Sequence, residues 1–213
     1  MSKAAVSPGR PSRIFSGLPP HGRGQRIGLY GGSFNPPHEG HRRIALIALN
    51  RLRLDAIWWL VSPGNPLKEH DGLAATAERM RDAARLAAHP RMPVSGLETV
   101  LNVRYTADLA EKLTRRVRGV RFVWIMGSDN LASFHHWDRW PEIARRFAIA
   151  VINRPGTLAA PLNAPVARTL AAYRVNESSS AALARRKPPA WTYINGPRIS
   201  TSSTVIRQLA HHD

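Results

Sequence analysis

Two histidines three residues apart, His38 and His41, follow a turn rich in glycine and proline, Gly31-Gly32-Ser33-Phe34-Asn35-Pro36-Pro37. If a helix has begun by Pro37, both imidazoles lie on one face at its mouth and meet the same ligand. A helix N-terminus presents unpaired N–H groups and the positive end of the macrodipole, so the expected ligand is an anion, phosphate first. Gly31 and Gly32 allow close backbone approach or positive φ, and the prolines suit a turn and a first helical position. A structural metal competes for paired histidines, but the sequence has no Cys and no H-E-x-x-H pattern. Solvated histidines at a helix end are the other competing use, and the Gly-Gly-x-Phe and Pro-Pro surroundings argue against it.

Further polar candidates sit where apolar runs end. Ser202-Ser203-Thr204-Val205-Ile206-Arg207 places hydroxyls at a helix start, where they cap it and bind an anion, with Arg207 about one turn inside. Asn65 and Lys68 lie in the turn that closes the apolar run 56–61. Tyr105 and Thr106 stand at a strand-to-helix junction, and Asp129 follows the strongly apolar run 120–126. Asp129 either caps the next helix or accepts hydrogen bonds from a ribose. Trp137 and Trp140, three apart on an expected short helix, divide between a core role and a flat wall for an aromatic or cationic ring.

The elements that must position these residues alternate. Residues 26–30 read as a short strand feeding the glycine turn, and Ile44, Ile47 and Ala48 mark the helix that leaves it. Residues 56–61, 120–126 and 147–152 are continuous apolar runs of strand length, as expected for strands buried on both faces of a parallel sheet. Residues 73–88 predict an Ala-rich helix with Leu73, Ala77, Met80 and Ala84 as its core stripe, and Leu109, Leu113 and Val117 form one face of a helix beginning at Thr106. Val94 belongs to a short strand, and 191–194 return to strand character. Residues 157–190 predict only a weak helix and a mobile loop. Together these spell an α/β, Rossmann-like parallel sheet with helices on both faces in a single domain over 26–213. Loops at the carboxyl ends of such strands are where ligands bind.

Residues 1–25 carry many Pro, Gly and Arg residues without an apolar period, and predict a disordered basic arm. The chain has 213 residues with 43% hydrophobic content, enough for one sizeable core. Without Cys, disulfides and thiolate metal sites are excluded, and no apolar run reaches the roughly 18 residues of a membrane span. A cytoplasmic protein is expected. The net charge of +17 raises the question of nucleic acid, yet the excess is arginine scattered among alanines, with lysine only at positions 3, 68, 112 and 187. No dedicated nucleic-acid partner is expected from that distribution; the charge serves anionic small substrates or solubility.

Gly32-x-Phe34-x-Pro36-x-His38-x-x-His41 resembles the G-x-F-x-P-x-H-x-x-H signature of the nucleotidylyltransferase superfamily, and Ser202 to Arg207 resembles its S-S-T-x-I-R signature. Tyr105-Thr106 and Gly127-x-Asp129-x-Leu131-x-x-Phe134-x-x-Trp137 are similar to the segments that surround the nicotinate ring in the bacterial nicotinate-nucleotide adenylyltransferase family. Asn35 departs from the pattern, since many relatives have Asp there. The resemblance implies adenylyl transfer from ATP to nicotinate mononucleotide in NAD biosynthesis, with Mg²⁺ on the phosphates and no dedicated protein ligands for it. It implies His38, His41 and Arg207 in catalysis, and Gly31, Gly32, Ser33, Phe34, Ser202 and Ser203 beside them at ATP. Asn65, Lys68, Tyr105, Thr106, Asp129 and Trp137 are implied at the mononucleotide. The implied partners are these small molecules, with no membrane, and with self-association left open. Preference for nicotinamide mononucleotide, or a nucleic-acid-binding protein with a vestigial site, are the alternatives.

Overall fold

The computed structural model describes residues 10–64, 73–153 and 160–196. In chain order the elements are β1 (Ile14–Phe15), β2 (Arg26–Gly32), α1 (Glu39–Arg51), β3 (Ala56–Val61), α2 (Thr76–Ala87), β4 (Val94–Ser95), α3 (Leu97–Val100) and α4 (Thr106–Arg116). They continue as β5 (Arg121–Gly127), α5 (Ser128–Ser133), α6 (Trp140–Arg146), β6 (Ala148–Ile152), α7 (Pro165–Thr169), β7 (Arg174–Val175) and β8 (Trp191–Ile194). The strands form one sheet in the order β1-β4-β3-β2-β5-β6-β8-β7, and every pairing is parallel.

Strand alternation divides the core into two layers. Ile27 and Leu29 of β2 face one side, with Trp58, Leu60, Trp124 and the apolar faces of α4, α6 and α7. Tyr30 faces the other, with Trp59, Val61, Ile125 and residues of α1 and α2. Both faces of the central strands are therefore covered, and their sequences read as unbroken apolar runs. The chain order reverses at β2: β3 lies on one side of it and β5 on the other. Sheets of this kind bind ligands at such a switch point, which here is the carboxyl ends of β2 and β5. No helix among the described residues is long and apolar enough to cross a membrane.

Three expectations need correction. Residues 10–25 are not a disordered arm. Ile14 and Phe15 pair with Val94 and Ser95 at the sheet edge, the Ser12 hydroxyl donates to the His89 carbonyl (3.0 Å), and the Ser95 hydroxyl donates to the Gly17 carbonyl (2.6 Å). A two-residue strand carries too few side chains to show a period, and its partners come from residues about 80 positions away, so nothing local announces it. In α2 the buried residues are Arg79, Ala83, Ala84 and Ala87, whereas Ala77 is exposed and Leu73 and Met80 are half-buried. The stripe is rotated because an arginine occupies one of its core positions. Finally, residues 160–190 hold α7, β7 and several 3₁₀ turns rather than a weak helix and a loop. They are pinned by single tertiary contacts, among them Trp191 Nε1 donating to the Leu170 carbonyl (2.8 Å) and Glu177 pairing with Arg51 (3.1 Å).

Candidate active site

The turn between β2 and α1 is held by contacts that its residue types allow. A Cβ on Gly31 would meet the Trp124 ring at 2.7 Å, so glycine there admits the indole against the strand end. Gly32 lies under the Phe34 ring in the same way, with a Cβ distance of 3.2 Å. Neither glycine has positive φ. That conformation falls instead on Phe34, at φ 48°, where a side chain costs energy. The buried Phe34 ring offsets the cost by stacking on Trp59 (5.0 Å) and meeting Tyr30 (5.6 Å) and His41 (5.1 Å) edge-on. Asn35 Oδ1 accepts a hydrogen bond from the Ala74 N–H (3.2 Å). Only an acceptor oxygen is used in that bond, so an Asp at this position would serve it equally well.

Helix α1 starts later than expected, at Glu39, with His38 as its N-cap. His38 Nδ1 accepts from the Gly40 N–H (3.1 Å), and His41 Nδ1 accepts from the His38 N–H (3.1 Å). This is a capping box built from imidazoles, and it brings the two rings to 3.9 Å. A ring nitrogen that accepts carries no proton, so each neutral imidazole has its proton on Nε2. The cap thus selects the tautomer that carries its proton on Nε2.

Arg79 was not among the candidates. It is 2% exposed, yet it reaches the loops after both β2 and β3. Nη1 donates to the Ser33 carbonyl (2.6 Å) and the Ser62 carbonyl (2.8 Å), Nε to the Ala74 carbonyl (2.8 Å), and Nη2 to the Thr76 hydroxyl (2.9 Å). Burial lowers its pKa from the ordinary guanidinium value. The available signal was a charged residue at i−4 and i−8 from Ala83 and Ala87 in an otherwise apolar stripe.

Asp129 lies at the carboxyl end of β5, the strand beside β2, in the first turn of α5. It is not the cap of that helix, a position Gly127 takes without a side-chain bond. Trp137 and Trp140 do not share a helix: Phe134–His136 is a 3₁₀ turn, Trp137 follows it in extended conformation, and Trp140 opens α6. Trp137 is half-buried, edge-to-face with Trp124 (6.2 Å) and Phe134 (5.1 Å). Because Trp124 also covers Gly31, that indole joins the turn after β2 to the Trp137 segment. Tyr105 and Thr106 stand at the N-terminus of α4, with the Arg104 guanidinium 5.6 Å from the Tyr105 ring. Arg139, in left-handed conformation, pairs with Asp138 (2.8 Å) and with Asp108 in the first turn of α4. Those ion pairs raise its pKa and tie the start of α4 to the Trp137 segment. Asn65, Lys68, Ser202, Ser203 and Arg207 lie outside the described residues.

Residues 29–209 match the cytidylyltransferase-like family model, a span that takes in the carboxyl half of β2, the imidazole cap and the Trp137 segment. A Bradyrhizobium sp. (strain ORS 278) protein named "Probable nicotinate-nucleotide adenylyltransferase" is 56% identical over 182 residues, covering 85% of this chain and 95% of that protein. The chain belongs to the cytidylyltransferase-like family, among the nicotinate-nucleotide adenylyltransferases. A Rhizobium johnstonii protein of the same name is 49% identical over 195 residues, covering 92% of this chain and 98% of its own. The fold also matches the Plasmodium falciparum nicotinic acid mononucleotide adenylyltransferase complexed with NaAD, with a TM-score of 0.62 at 19% identity over 86% of this chain and 83% of that one.

Proposed function

We propose that the protein transfers the adenylyl group of ATP to nicotinate mononucleotide, giving nicotinate adenine dinucleotide and pyrophosphate, as a cytoplasmic step in NAD biosynthesis. The reading is supported by the imidazole capping box, which holds the His38 and His41 rings side by side at the mouth of α1. An oxygen of the mononucleotide phosphate attacks the α-phosphorus of ATP in line. The new P–O bond forms as the bond to the β-phosphate oxygen breaks, and pyrophosphate takes the electron pair. The protein forms no covalent intermediate; it positions the reactants and stabilises charge.

In this assignment His38 and His41 donate through Nε2–H to the triphosphate, joined by the backbone of Gly31, Gly32, Ser33 and Phe34. Ser202, Ser203 and Arg207 grip the phosphates that leave, and Asn65 and Lys68 reach phosphate from the turn after β3. Trp137 stacks on the pyridine ring, Thr106 with the amides near Tyr105 receives the carboxylate, and Asp129 binds a ribose. Among the described residues no three His, Cys, Asp or Glu side chains gather as a metal-ligand group. Mg²⁺ would come with the triphosphate and neutralise part of its charge.

Pyrophosphate release from ATP and Mg²⁺ should be measured with nicotinate mononucleotide and with nicotinamide mononucleotide in parallel. Strong preference for the acid is expected. Preference for the amide would overturn the substrate but keep the phosphoryl chemistry, and release with neither would overturn the assignment.

A further inference from the structure

Arg79 is the only arginine among the described residues buried to this degree, and the chemistry above does not use it. Among the described residues its partners are all neutral oxygens: three backbone carbonyls and one hydroxyl. A buried guanidinium without a carboxylate is costly, and a well-packed apolar side chain would serve a core at lower desolvation cost. What the arginine supplies instead is geometry. Nη1 bridges the carbonyls of Ser33 and Ser62, which belong to the loops after β2 and β3. A planar fork with five N–H groups in fixed directions can hold both while Nε and Nη2 bind Ala74 and Thr76; a lysine ammonium cannot span them in the same way.

The peptide between Ser33 and Phe34 is trans, so its C=O and N–H point in opposite directions. With the Ser33 carbonyl drawn to Arg79, the Phe34 N–H points to the opposite side of that peptide. The same peptide leads into Phe34 at φ 48°, a conformation that needs support from its surroundings. Asn35 adds a second tie through the Ala74 N–H, so the start of α2 braces the whole turn.

We infer that Arg79 is a positioning residue for the triphosphate: it fixes the Ser33–Phe34 peptide so that the Phe34 N–H and the capped mouth of α1 face the anion together. The inference rests on the assignment of residues 31–41 to the ATP phosphates. It adds that the accuracy of this loop is set from behind by a side chain that never touches substrate.

The test uses the full chain with Arg79→Lys, Arg79→Met, Thr76→Val and, as the control for the assignment itself, His38→Ala. Pyrophosphate release is measured with ATP varied and with nicotinate mononucleotide varied, and melting temperature reports the folded state. In Arg79→Lys, which keeps the charge, the KM for ATP should rise about tenfold or more while that for the mononucleotide stays within about threefold. Thr76→Val, which removes one acceptor and keeps the shape, should raise the KM for ATP about two- to threefold, and it decides the matter if both Arg79 variants fail to fold. A lowered melting temperature with both KM values unchanged, or raised equally, would make Arg79 purely structural and overturn the inference. If His38→Ala also leaves ATP use intact, the assignment of the loop to phosphate fails; if only the Arg79 and Thr76 variants behave normally, that assignment stands and the positioning role falls.

Discussion

The two segments proposed to meet the substrates are built by different physics. At the one proposed for phosphate, the turn between β2 and α1 is set by buried hydrogen bonds from Arg79, a two-imidazole cap and the Phe34–Trp59 stack. At the one proposed for the ring, the start of α4 and the Trp137 segment are joined by Asp108, Asp138 and Arg139 at the surface. Buried bonds to neutral groups are insensitive to salt and costly to break, whereas exposed ion pairs are screened and contribute little. On the proposed assignment, the segment that would face the reacting phosphates is held by buried hydrogen bonds, and the segment that would choose the acceptor by exposed ion pairs.

The largest expected effect breaks the segment proposed for phosphate. His38→Ala removes both the donor and the cap, and turnover should fall by about 10²- to 10⁴-fold. His38→Asn separates the two roles, since Asn caps well but lacks the imidazole Nε2–H. It should lose comparable turnover while melting near the wild-type temperature, whereas the Ala variant loses about 1 kcal/mol of stability. Near-normal turnover in either variant would remove His38 from the phosphate role.

Next in size is Trp137→Ala, which should raise the KM for the mononucleotide by about tenfold or more, with a much smaller change for ATP. Equal changes would make Trp137 a core residue and erase the division between the two segments. Deleting residues 1–24 removes β1 and the Ser12 and Gly17 contacts that brace β4 just before α3 and Tyr105. Melting temperature should drop by about 5–10 °C, and the mononucleotide KM should suffer before that of ATP. An unchanged melting curve would mean that the edge strand contributes nothing.

Smaller effects sharpen the comparison. Asp108→Asn breaks the surface link and should raise the mononucleotide KM a few-fold at low salt, a difference that vanishes near 1 M salt, where the Debye length is about 3 Å. A difference that persists at high salt would show a link that is not electrostatic. Glu98 in α3 has its carboxyl pushed up by burial to about 7, from an ordinary 4.5. Its folded form holds the proton more tightly, so its contribution to stability is present at acid pH and is lost as pH rises between those two values. Glu98→Gln should therefore flatten melting temperature against pH over that window and melt higher than wild type at about pH 8. An identical pH dependence in both proteins would show that Glu98 is solvated.

The sequence by itself determined the sheet, because strands buried on both faces must be apolar throughout and glycine turns must follow them. β2, β3, β5 and β6 were legible for that reason, as were the paired histidines, whose spacing fits one helix mouth. It also carried the family's motifs and with them the chemistry. Only the tertiary structure decided which backbone groups those motifs control. The left-handed residue is Phe34 rather than a glycine because a distant Trp59 supports its ring. Residues 12–17 are ordered because β4 offers them an open edge. Arg79 reads as one charge in an alanine-rich helix, and its meaning comes from the Ser33 and Ser62 carbonyls, 46 and 17 positions away. Local sequence encodes periodicity and turn chemistry; a hydrogen bond between distant loops leaves no period, so it becomes visible only when the chain has closed around it.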